Sequence, residues 1–271
     1  MNRESKFKIL LKYSLAFFMA LFIFCSVIFA MIGVCSTPDF AKLLIKKSNY
    51  VELSIEEIED ELVSLALPGG LPKDFFDYGI TDKTFYDNLD EYIEKSYNNK
   101  PFVFLDEAFR DEISQKIYAY TEGKLPTVND DIKAQLDTLI DLCCEKYMKY
   151  AMPKVLQYIG NFFGRLSIPA FCVALFCVCL AAVSYLFIGR YENSKKVYRV
   201  SFISSALLIG VIPAVIFLFA GINNIGITSK PLFSFITLFI KVPLVIMMII
   251  SLVIIIAVVL EIIISNRRSR S

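Results

Sequence analysis

The chain has 271 residues, of which 56% are hydrophobic and 20% charged, with a formal net charge of +1. That balance is too apolar for an ordinary soluble protein and places the chain in the membrane class. There is no histidine, which excludes Ser-His-Asp and Cys-His catalysis, His-liganded zinc and His-based proton relays, and leaves carboxylate or Ser-Lys chemistry open.

Residues 1–12 form a basic N-terminus carrying Arg3, Lys6, Lys8 and Lys12. Tyr13–Cys35 follows without a charge. At roughly 1.5 Å per residue it matches a hydrocarbon core of about 30 Å. It outruns the apolar core of a signal peptide and no A-x-A site follows, so it is expected to be an uncleaved first span.

Residues 36–165 read as a separate helical region, since no stretch alternates apolar and polar residues cleanly. Ser36-Thr37-Pro38-Asp39 looks like a helix start, with a capping hydroxyl and then proline at the first helical position. Ser54 with Glu57 reads as a capping box opening an acidic helix to about Leu67. Ile55, Ile58 and Leu62 mark its buried face. Glu56, Glu57, Glu59, Asp60 and Glu61 fan around the helix as a solvated face rather than converging as a calcium loop would require. Pro68-Gly69-Gly70-Leu71-Pro72 ends it. Thr81 is expected to cap a helix over Asp82 to Tyr97, with Phe85, Leu89, Tyr92 and Ile93 inside, and Asn98-Asn99-Lys100-Pro101 breaks it. A further helix is expected from about Asp106 to Thr121 on the spacing of Ala108, Phe109, Ile113, Ile117 and Tyr120, followed by a turn over 123–129.

From residue 130 the apolar positions Ile132, Leu136, Leu139, Cys143, Tyr147, Ala151, Val155, Ile159, Phe162 and Leu166 keep one helical face. Lys133, Asp137, Asp141, Glu145 and Lys149 lie elsewhere on the wheel. This helix is expected to start in water and end in lipid over 130–188, with Pro153 kinking or breaking it near Tyr150. Gly160 and Gly164 match GxxxG, a weak signal because it precedes the span. Cys143 and Cys144 are neighbours and point about 100° apart on a helix, which forbids a disulfide between them.

Three more spans follow at 168–189, 200–220 and 242–264, the last carrying Glu261 near its end. Ala170, Ala174, Cys177, Ala181 and Ser184 form a stripe of small residues on the second span, and Ala206, Gly210 and Ala214 another on the third. Lipid gives helices no hydrophobic drive to associate, so small residues mark close packing, and these stripes are expected to meet each other. The fourth span has Ser251 and Ala257 as its small residues and should face lipid over most of its surface. Pro213 is expected to kink the third. Lys241 and Glu261 sit at the two edges of the fourth span and read as anchors at the headgroups.

Residues 37–164 carry 14 Lys and Arg against 24 Asp and Glu, whereas the remainder carries 14 against 3. The basic residues outside 37–164 cluster before the first span, in the loop 190–199 (Arg190, Lys195, Lys196, Arg199) and in the tail 265–271 (Arg267, Arg268, Arg270). The positive-inside rule then puts both termini and the middle loop in the cytoplasm, and 36–165 and the loop 221–241 outside, with the plasma membrane as the expected location.

The layout of four spans with a large first outer loop resembles that of claudin-type proteins. Those carry a tryptophan and paired cysteines in that loop, and this chain has no tryptophan, so no family is assigned. The expected fold is all-α: a four-span bundle with an acidic helical extracytoplasmic domain between spans 1 and 2. No catalytic, cofactor or metal motif is recognised, and the short basic clusters fit topology better than nucleic acid. The leading expectation is a non-enzymatic interaction, sensing or scaffold protein that meets the lipid bilayer through its spans and a protein partner through its outer domain. A subunit of a membrane transport assembly is the alternative. An enzyme would need carboxylates such as Asp74, Asp77 and Asp82 to converge.

Overall fold

The computed structural model describes residues 3–67, 82–100, 107–124, 129–191 and 193–268. Among them every regular element is helical. They are α1 (Arg3–Cys35), α2 (Pro38–Lys47), α3 (Tyr50–Ala66), α4 (Asp82–Tyr97), α5 (Glu107–Lys124), α6 (Asp130–Ala151), α7 (Lys154–Ile188), α8 (Ser194–Phe219) and α9 (Lys230–Arg268), with a 3-10 turn at Ile222–Asn224. Four stretches, ending on α1, α7, α8 and α9, are long and apolar enough to cross a membrane. The expected breaks at 68–72, Thr81, Pro101 and most of 123–129 lie outside the described residues.

The chain divides into two compact units. One holds residues 1–37, 165–226 and 236–271; the other holds 38–164 and 227–235.

The first unit is a bundle of α1, α8, α9 and the later part of α7. Ala16 and Met19 of α1 bury against Ile188 and Val197. Further along, Met31, Ile209 and Met247 form a second layer, backed by Ile246 and Ile250. The closest approaches run through small side chains. Ser201 donates to the Ala16 carbonyl at 3.0 Å, Ser251 donates to the Ala206 carbonyl at 2.6 Å, and the Phe171 ring lies over Gly33. Large apolar side chains such as Leu175, Leu186, Leu218 and Phe219 point outward and are mostly exposed. In water such a surface would associate; in a bilayer it is the expected lipid face. Pro169, Pro213 and Pro243 sit inside α7, α8 and α9 without ending them. α9 begins at Lys230, so the later part of the expected loop 221–241 is helical.

The second unit is a helical module with its own core. Phe85, Leu89 and Ile93 of α4, Ile113 and Ile117 of α5, and Ile58 and Leu62 of α3 are at most 2% exposed. Tyr147 of α6 sits at the centre, stacked on Phe109 at 4.1 Å and edge-on to Phe85 at 5.7 Å. Each such ring or branched chain taken from water stabilises the fold by about 1.5–3 kcal/mol before entropy is counted. α4 spans the expected residues with the expected inner face.

Two local expectations fail here. α2 opens at Pro38 as expected, and Ser36 and Thr37 also donate back to α1, to the carbonyls of Ile32 and Val34. Ser54 and Glu57 do not open a helix: α3 starts earlier, at Tyr50, after Asn49 in the left-handed conformation. Tyr50 is fully buried, and that tertiary anchor overrides the local capping signal. Finally, the break at Pro153 falls where expected, but the apolar stripe of 130–166 does not run through it. α6 stops at Ala151 and α7 restarts at Lys154 after Pro153. The non-helical step at Met152 and Pro153 rephases the wheel, so Leu156 and Gly160 turn inward while Val155 and Phe162 are exposed.

Candidate functional site

Tyr50, Ser54, Glu57 and Glu61 recur along α3 at steps of four, three and four. Such spacing stacks them in one stripe, one turn apart. The stripe runs beside the buried Ile55–Ile58–Leu62 face, so its polar groups are drawn against neighbouring elements instead of into solvent. Two of the carboxylates expected on a solvated face are therefore engaged.

At the N-terminal end the Tyr50 hydroxyl donates to the Tyr150 carbonyl at 3.0 Å. The Tyr50 ring packs edge-on to Phe235 at 6.4 Å. Burial pushes the Tyr50 phenol well above its ordinary range. One turn on, Ser54 is fully buried. Next, Glu57 Oε1 accepts from the Lys230 backbone N–H at 2.9 Å, and Oε2 accepts from the Ser229 hydroxyl at 3.3 Å. These are first-turn donors of α9 and its flank, so the residue expected to cap its own helix caps another. Ser234 donates to the Ser48 carbonyl at 2.9 Å and completes the attachment of 227–235 to α2 and α3.

Glu61 closes the stripe. Its Oε1 accepts from Lys149 Nζ at 2.6 Å and from the Tyr150 hydroxyl at 2.7 Å. Lys146 Nζ lies 2.9 Å from Oε2. Burial works against the charge, but the hydrogen bonds from Lys149, Lys146 and Tyr150 outweigh it and hold the carboxyl down at about 2. Burial and the bond to Glu61 together raise the Tyr150 phenol. Ionising that phenol would place two negative oxygens 2.7 Å apart. The cluster is thus a clasp that ties α3 to α6.

The same module carries an open hollow of about 500 Å³ beside the α2–α3 turn, lined by Ile45, Lys46, Asn49, Glu52, Lys83 and Tyr86. Lys46 Nζ stands 5.0 Å over the Tyr86 ring. Nearby, Lys42 bonds Asp90 at 2.8 Å and Glu94 at 3.0 Å, tying α2 to α4. Burial lowers the Lys42 pKa, but the two carboxylates outweigh it and leave it raised.

The residues singled out in the bundle fall as follows. Ala170, Ala174, Cys177 and Ser184 are buried and Ala181 is half-buried. Ala206 is buried, and Gly210 and Ala214 are half-buried. Ser251 of α9 approaches both Ala206 and Gly210. Small residues show where a helix can be approached closely, not by which neighbour. α7 and α8 meet near their connection, where the Tyr185 and Tyr198 rings stack at 4.1 Å and the Tyr198 hydroxyl donates to the Tyr185 carbonyl at 2.7 Å. Lys241 Nζ donates to Asn223 Oδ1 at 2.6 Å. Glu261 forms a bidentate pair with Arg199 at 2.7 and 3.0 Å. The side chains of Arg267 and Arg268 lie outside the described residues.

Asp74 and Asp77 also lie outside them, as does the side chain of Asp82, which opens α4. Cys143 is buried and Cys144 half-buried. Burial pushes the Cys143 thiol up to about 12. Among the described residues no three His, Cys, Asp or Glu side chains are grouped to hold a metal ion. The α3 stripe was in reach of the sequence: two glutamates four apart share a register with Tyr50 and Ser54. No protein-family model, curated protein or solved structure matches the chain.

Proposed function

We propose that the chain is a non-enzymatic interaction, sensing or scaffold protein of a membrane, in which the helical module binds a protein partner and the spans anchor it. The observation that carries this reading is the contrast between the two units. The module has an aromatic core and a stripe of engaged polar groups on α3. In the bundle, the two ionisable side chains of the fourth span, Lys241 and Glu261, are each held by a partner at 2.6 and 2.7 Å. Charges fixed in this way suit anchoring better than transport. The basic clusters at residues 3–12, 190–199 and 267–270 support cytoplasmic termini and an extracytoplasmic module.

The partner surface is the hollow around Lys46, Lys83 and Tyr86, where two cations, one carboxylate (Glu52) and an aromatic ring surround an open concavity with a net positive charge. The complementary face would carry carboxylates and apolar side chains. The test is site-specific photocrosslinking in the full chain in its native membrane. A photoreactive residue in place of Glu52 is expected to capture one partner, and Lys46→Glu with Lys83→Glu to abolish capture. A yield that is spread evenly over the module surface, and indifferent to the charge reversals, would remove the reading.

A further inference from the structure

The end of the bundle that carries the basic loop opens into a groove of about 610 Å³. Ile23, Phe202, Ile254 and Val258 give it an apolar floor; Lys195, Arg199 and Glu261 stand at its mouth. Arg199 is paired with Glu261, and Lys195 acts on the same carboxylate. Two cations against one carboxylate leave the mouth with an excess positive charge. α8 begins there, at Ser194, and Asn193 before it gives no side-chain hydrogen bond to the first turn. The first amides of a helix are donors in want of an acceptor, and they carry the positive end of the dipole.

The geometry points to an anionic phospholipid as the occupant of this groove, with its phosphate on Lys195 and Arg199 at the start of α8 and one acyl chain lying along Phe202, Val253 and Ala257. A free anion would satisfy the mouth but leave the apolar floor unfilled. A zwitterionic lipid would bring its own cation up to Lys195. Val253 is 59% exposed within the protein and Ala257 is also exposed, so the chain can enter sideways from the bilayer. Tyr185 and Tyr198 flank the mouth as amphipathic rings do at a headgroup level. Basic pockets between membrane helices hold headgroups in this manner.

The test uses the full chain in a neutral detergent, titrated with phosphatidylglycerol or phosphatidylcholine and read by native mass spectrometry. The wild type is expected to retain one phosphatidylglycerol in preference to phosphatidylcholine. Since one cation near an anionic headgroup is worth about fivefold, Lys195→Ala with Arg199→Gln should lower retention by about fivefold or more, and Lys8→Ala should leave it unchanged. Ala257→Phe keeps every charge and fills the groove, so it should also lose the lipid; it serves, with Lys195→Ala alone, if the double variant does not fold. Equal retention of both lipids, or retention untouched by these substitutions, overturns the site. Displacement of the lipid by millimolar inorganic phosphate also overturns it, in favour of a soluble anion.

Discussion

Glu57 of α3 accepts a hydrogen bond from the backbone N–H of Lys230, the first residue of α9, at 2.9 Å. A carboxylate at that position satisfies an amide that has no partner within its own helix, and it opposes the positive end of the α9 dipole. The start of α9 is therefore specified by a residue far away in sequence. That is why the apolar count, which sees the span alone, does not reveal where the helix begins.

Removing that carboxylate has a local consequence. Glu57→Ala should cost about 1 kcal/mol, in the range of a lost helix cap. Hydrogen exchange of the full chain should show faster exchange at the amides of 230–235 and unchanged exchange in α4. Unaltered protection at 230–235 would mean that Glu57 does not hold the helix start.

The clasp at Glu61 makes a pH prediction. Its carboxyl lies at about 2 in the folded chain, below the ordinary 4.5. A depressed carboxyl stabilises the fold above its unfolded value, and the contribution fades as pH falls from 4.5 towards 2. Glu61→Gln should flatten the acid limb of stability across that window. At neutral pH it should cost about 1 kcal/mol, a modest figure because the site is partly open to solvent. Thermal midpoints by circular dichroism against pH check both; an acid limb identical to wild type contradicts the clasp.

Much of the module was legible where local signals and packing agree. α4 is bounded by Asp82 and the Asn98-Asn99 break, and its Phe85–Leu89–Ile93 face is buried as the spacing requires. The misreadings share a cause: a local pattern lost to a distant contact. Ser54 and Glu57 have the spacing of a capping box, but Tyr50, buried against Tyr150 and Phe235, starts the helix earlier. Val155 and Phe162 continue a period that Pro153 resets. The small-residue stripe on α8 was visible, yet nothing in Ala206 or Gly210 says whether α7 or α9 approaches.

The GxxxG pair, weak as a sequence signal, seats the end of α4. A Cβ on Gly164 would collide with the Tyr97 carbonyl, and one on Gly160 would lie 2.8 Å from Ser96 Cβ. The obstruction at Gly164 is backbone, which cannot swing aside. Gly164→Ala should therefore destabilise the chain by roughly 1–3 kcal/mol, the range for overpacking. Gly123→Ala, where the added carbon meets nothing within 4 Å, is the control. Equal thermal midpoints for the two variants would contradict the close approach.

In the bundle, Ser251 ties α9 to α8 through the Ala206 carbonyl. Ser251→Ala should cost about 0.6 kcal/mol, typical of a hydrogen bond between membrane helices. Gly210→Val should cost more, since a Cβ there lies 3.0 Å from Ser251 Cβ. Unfolding midpoints in detergent rank the two; a neutral Gly210→Val would place α9 elsewhere.

Protease added to the outside of intact cells expressing the full chain with a C-terminal tag tests the extracytoplasmic placement of the module. Cleavage within 37–165 with the tag protected is the predicted result. Loss of the tag with 37–165 untouched would invert the topology and remove the basis for a partner-binding module outside the membrane.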